Sequence, residues 1–268
     1  MRTFFCFLFL GTLARAACND IADPNWARGQ YAQLNRTAYY AATLLRSGGC
    51  SISVVGIGQT NTTSAASSYT LAKSNTPAIN TLWLVAVVNT KATTPDIPTL
   101  TGLGVNWVKV GTTNWGGQLT RLTLFRSMTN NTPTADALVA DFAGANQTGC
   151  TMHGLAFSNV VTSGSQGSGA IVQSLQATNS SANPTVTLSA LSATGKNAVY
   201  CVFANDANGY AATSVDSGWT EFIQNGYNTP ATGQLGIYAI GTTDNTPSIT
   251  DGAQAWAAIA IEIALSCP

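Results

Sequence analysis

The sequence predicts an all-β protein: an antiparallel β-sandwich of jelly-roll-like type, built from an internally duplicated unit and preceded by a short, partly helical N-terminal segment. Three observations carry this. From Cys50 onward the chain consists of short runs rich in Val, Ile, Thr, Leu and aromatic residues, separated by clusters of Gly, Asn, Pro and Ser. No helical apolar period is sustained in that stretch. The runs also recur once, in the same order, which is the mark of a repeated architecture.

Taken in order, Arg2, the apolar stretch Phe4 to Leu13 and the small-x-small site Ala14-Arg15-Ala16 read as a signal peptide over residues 1–16, with a mature start at Ala17. Residues 17–49 form a separate N-terminal segment in which Asn35 to Arg46 (NRTAYYAATLLR) predicts a short helix, capped by Asn35 and ended by Gly48-Gly49. Residues 50–160 and 161–268 are then two β-sandwich units. Gln59-Thr60-Asn61 and Tyr69-Thr70-Leu71 are echoed by Ala177-Thr178-Asn179 and Val186-Thr187-Leu188. TLWLVAVVN, beginning at Thr81, is echoed by NAVYCVFAN, beginning at Asn197; NWVKV at Asn106 by GWTEF at Gly218. QLTRLTLF at Gln118 is echoed by QLGIYAIG at Gln234, and HGLAFS at His153 by AAIAIE at Ala257. Apolar residues at both parities in LWLVAVV and AWAAIAIEIAL predict strands covered on both faces. Trp107 and Trp219, each after a Gly turn, predict core plugs. Whether each unit closes its own sandwich or the two share one pair of sheets stays open at this level.

This order of a VTL strand, an LLVVAVV-type strand, a Gly-turn-WTxV strand, an LxLxxR strand and a closing AAxAxxEF-type strand, given twice, resembles the tandem β-sandwich units of phage virion proteins and bacterial secreted surface proteins. The resemblance covers residues 50–268. It implies an assembly or attachment role and carries over no catalytic residue.

Only 8% of residues are charged, with 11 Lys+Arg against 11 Asp+Glu, and the surface is made up instead of hydroxyls, amides and 25 Gly. Such a surface offers no basic field for nucleic acid or anionic lipid, and no membrane span is expected after signal cleavage. The expected location is extracellular or at a cell surface. In that oxidising compartment Cys18, Cys50, Cys150 and Cys267 are disulfide candidates, pairing Cys18 with Cys50 and Cys150 with Cys267. Cys201, mid-strand in VYCVF, is the candidate free thiol.

His153 is the only histidine, which leaves little room for acid–base or zinc chemistry, and it reads as a packed core or interface residue. Glu221 and Glu262 fall on strands, whereas Asp206, Asp216, Asp244 and Asp251 fall in turns where Asp ordinarily bonds the local backbone. No catalytic residue, cofactor or metal ligand is expected, apart from a weak structural-calcium candidate at Asp206 and Asn208, which lacks the later bidentate Glu of a full loop. The binding candidates are two loops, Asn114-Trp115-Gly116-Gly117-Gln118 and Asn225-Gly226-Tyr227-Asn228, each expected to expose a ring among amides for a glycan or protein partner. The functional expectation is a non-enzymatic extracellular structural or assembly protein that self-associates or docks on a larger surface. A glycan-binding module or adhesin is the alternative, and a carboxylate-dependent glycan hydrolase comes third.

Overall fold

Runs that are apolar at both parities need two cores, and the chain supplies them by stacking sheets on either side. The computed structural model describes residues 50–207 and 214–266. The expected leader and N-terminal helix, with Cys18, lie outside the described residues, as do Asn208 and Cys267. The described chain is all-β, with every strand pair antiparallel and no α-helix among the described residues. The N-terminal half contains β1 (Ser53–Thr62), β2 (Ser68–Leu71), β3 (Leu82–Thr90), β4 (Thr99–Thr101), β5 (Val108–Trp115), β6 (Thr120–Ser127), β7 (Leu138–Asp141) and β8 (Gly149–Ser158). The C-terminal half contains β9 (Ile171–Asn179), β10 (Ala198–Asn205), β11 (Ser214–Val215), β12 (Thr220–Asn228), β13 (Ala231–Ile240), β14 (Ile249–Thr250) and β15 (Trp256–Ile263).

Two five-stranded sheets dominate, ordered β1-β8-β3-β6-β5 and β9-β15-β10-β13-β12. Smaller sheets, β2-β7-β4 and β11-β14, flank them. The even residues of β3 (Leu82, Leu84, Ala86, Val88) and β10 (Ala198, Tyr200, Val202, Ala204) join Ile259, Ile261 and Ile263 of β15 in one core shared by the large sheets. The odd residues of β3 (Trp83, Val85, Val87) turn the other way, against Tyr69, Leu71, Leu100 and Leu138 of the first small sheet. Val199, Cys201 and Phe203 likewise face Val186, Leu188, Trp219 and Ile249. Every residue of β3, β10 and β15 is therefore buried, each large aliphatic side chain contributing about 1.5–3 kcal/mol relative to exposure.

The tryptophans close these layers as expected. Trp219 is buried and donates its indole N–H to Asp244 Oδ2 at 2.9 Å. Trp107 is half-buried against Trp83 with ring centroids 6.2 Å apart, and donates to Gly102 O at 3.2 Å. Gly58 of β1 shows why a glycine is required there, because a Cβ would stand 2.2 Å from the carbonyl oxygen of Ala72. That close approach lets residues 72–75 bond the outer edge of β1 through Gln59, Ser74 and Asn75.

Candidate functional site

The two rings expected on exposed tips, Trp115 and Tyr227, stand on strand residues and are buried, while Gly116–Gln118 form a 3-10 turn after β5. Trp115 is the last residue of β5, 5% exposed, and its ring belongs to the core shared by the large sheets. Asn114 donates through Nδ2 to Gln118 Oε1 at 3.1 Å, while its own Oδ1 is buried without a partner. The Trp115 N–H has no partner of good geometry, but it lies beside the Asp206 carboxylate. Burial raises the Asp206 pKa, opposed by Trp115 and by Thr120, whose Oγ1 is 3.5 Å from Oδ1. Gly116, at φ +59°, makes room, since a Cβ would come within 2.6 Å of that carboxylate. The carboxyl of the calcium candidate is thus turned to the β5–β6 turn, and no cluster of three or more metal-binding acidic, His or Cys side chains occurs among the described residues.

Tyr227 is also 5% exposed. Asn225 to Asn228 belong to β12, and the chain reverses after them, so the ring points inward instead of crowning a loop. Its hydroxyl bonds Thr90 Oγ1 at 2.8 Å, with Thr148 Oγ1 a further 3.0 Å away on Thr90, and its ring lies over Gly149. Burial pushes the phenol far up. Asn228 is exposed and Asn225 half-buried.

Between the large sheets lies a polar cluster built from β8, β10, β12 and β13. Thr151 Oγ1 donates to Asn225 Oδ1 at 2.6 Å and stands 3.3 Å from Gln234 Oε1. His153 is fully buried, its Nε2 2.5 Å from the Tyr200 hydroxyl and its ring 6.0 Å from that of Phe222. Burial pushes the imidazole down to about 4, with Gln234 opposing in part. His153 Nδ1 and Gln234 Nε2 are both buried and make no hydrogen bond of good geometry. Burial also holds the Tyr200 phenol well above its usual value.

The carboxylates serve the fold. Glu262 is fully buried; its oxygens accept from Ser192 N and Oγ at 2.8 Å each, and from Asn197 Nδ2 and Gln173 Nε2 at 2.7 Å each. Burial raises its pKa, but these donors outweigh burial and hold it below the usual value. Asp244 caps its own turn at Thr246 N, Asp251 at Gly252 N, and Asp216 accepts from Ser248. Glu221 is exposed on β12.

Cys201 is free and buried, matching expectation. Cys150 is free as well, which corrects the expected pairing with Cys267. At the start of β8 its side chain turns into the core beneath β2-β7-β4, and burial pushes its thiol up strongly. Cys50 is disulfide-bonded, to a partner outside the described residues.

The four lateral edges of the large sheets differ. Residues 72–75 cover β1, Lys109 marks β5 and Glu221 marks β12, both exposed. β9 (IVQSLQATN) carries no charge and no proline, leaves Val172 and Leu175 43% and 42% exposed, and has no strand partner other than β15 among the described residues, its Gln173 side chain holding the Ser189 backbone at N–H and C=O. The missing charge was readable in the sequence; that this run ends a sheet was not. No helix among the described residues is long and apolar enough to cross a membrane. No family model, curated protein or solved structure matches this chain.

Proposed function

We propose that this chain is a non-enzymatic extracellular structural protein, a duplicated β-sandwich subunit that assembles with copies of itself through β9. The observation that carries the reading is the β9 edge. An uncharged strand of nine residues with exposed Val172 and Leu175 is the kind of edge that soluble proteins ordinarily block with Lys, Pro or a covering segment. A second β9 can lie antiparallel to it about a two-fold axis with no like charges brought together.

Duplication is supported by strand order, since β1-β8-β3-β6-β5 matches β9-β15-β10-β13-β12 position for position. Register supports it too. Leu82 of β3 faces Phe157 as Ala198 of β10 faces Ile263, and the ladder shifts between Lys109 and Gly111 in β5 as it does between Glu221 and Ile223 in β12. On this reading the sequence echo at QLGIYAIG slides by four residues and that at AAIAIE by two, even steps that keep each face. The Gln59 echo slides by one, which exchanges faces. β5 packs on β9 and β1 on β12, so the halves meet as a fused pair would across a two-fold axis.

Light scattering after size exclusion, with electron microscopy of the same fractions, tests the assembly. Dimers or larger species are expected, and Leu175→Lys is expected to shift them to monomer while unfolding free energy changes by no more than about 0.5 kcal/mol. A monomer at high concentration in the unsubstituted chain would sink the proposal.

A further inference from the structure

The two seams between the large sheets are not equally filled. On the β5–β9 side the Gln176 side chain lies on Gly111, whose Cβ, if present, would stand 3.0 Å from its amide carbon. On the β1–β12 side there are two adjoining hollows of about 310 and 270 Å³ that share Gln59. Their combined size is that of a small-ligand site.

From this cleft we infer that the β1–β12 seam binds a neutral glycan, independently of the β9 edge. None of the side chains that line either hollow is ionisable, and Lys73, next in sequence to two of them, is turned away to the Ala135 carbonyl at 3.1 Å. Phe222, half-buried against Gly56, supplies an apolar wall in the larger hollow. The Gln59 amide is exposed and makes no side-chain hydrogen bond among the described residues. Asn225, in the smaller hollow, has its Oδ1 fixed by Thr151, which leaves Nδ2 with only a long 3.4 Å contact to Thr60 O. Behind Asn225 the fully buried Gln234 lines neither hollow; its Oε1 stands 3.3 Å from the Thr151 hydroxyl that fixes Asn225. A ring with a C–H face for Phe222 and hydroxyls that both donate and accept for the amides meets these features. A phosphate or carboxylate ligand would find no cation.

Titration of the isotopically labelled chain with cellotriose, maltotriose and chitotriose, each to millimolar concentration and followed by amide chemical shifts, tests this. At least one trisaccharide is expected to shift Gln59, Thr60 and Asn225. Gln59→Ala, at an exposed position, is expected to weaken binding roughly fivefold or more. Ser74→Trp, at the exposed rim, should abolish it, and Leu175→Lys should leave it unchanged. No shifts with any of the three sugars would overturn the inference, as would shifts that map elsewhere or that survive both cleft substitutions in folded protein.

Discussion

The interface between the large sheets has two sides of opposite character. Around β3, β6 and β15 it is aliphatic, packed from Leu84, Val88, Leu122, Leu124, Ile259 and Ile261. Around β8, β12 and β13 it is built of Thr151, His153, Asn225 and Gln234, hydrogen-bonded in part and with two polar atoms unmet. Close packing is what holds two sheets together; a buried polar group costs stability unless it is fully paired. The polar side therefore adds little adhesion and much orientation: it fixes how β1 and β12 lie against each other and leaves a cleft between them.

Three measurements can break or sharpen this contrast. On the aliphatic side, Ile259→Ala removes a fully buried side chain and should cost about 2–5 kcal/mol in denaturant unfolding; a loss near zero would mean that the sheets are not joined there. On the polar side the effect should appear as acid sensitivity. His153 is held down to about 4 by burial, so below the ordinary histidine value the unfolded chain takes up a proton that the folded chain refuses. Stability from this group is complete above about pH 6.5 and declines as the pH falls toward 4, by about 3 kcal/mol in all. Unfolding curves across that range should show the slope and lose it in His153→Gln; an unchanged slope in the variant would assign it to carboxylates. The smallest effect belongs to Tyr227→Phe, which removes the hydroxyl from Thr90 but leaves Thr148 as a partner. A loss of about 1 kcal/mol is expected by thermal unfolding, and one above about 3 kcal/mol would place Tyr227 among the main supports of the interface.

Much of the fold could be read from residue pattern, because burial on both faces writes itself as unbroken apolar runs: LWLVAVV and WAAIAIEI are fully buried strand segments. Trp107 and Trp219 close their layers for the same reason. Register was harder, since a strand slid by two or four residues keeps the same faces and leaves no trace in alternation. The Trp115 and Tyr227 segments were misjudged because glycine and asparagine beside an aromatic ring suggest a loop, whereas here Gly149 makes room for the Tyr227 ring and Gly116 for the Asp206 carboxylate. The β1–β12 cleft had no signal at all. It arises where two strands from different halves meet, and nothing local to Gln59 or Asn225 announces the other.

The two unpaired thiols among the described residues carry a practical consequence. Cys150 sits in the layer under β2-β7-β4 and Cys201 in the layer under β11-β14, so each flanking layer holds one free thiol hidden from solvent. A thiol reagent can reach either only when its own cover lifts, and the rates at which the two become labelled amount to separate clocks for the breathing of the two ends of the stack.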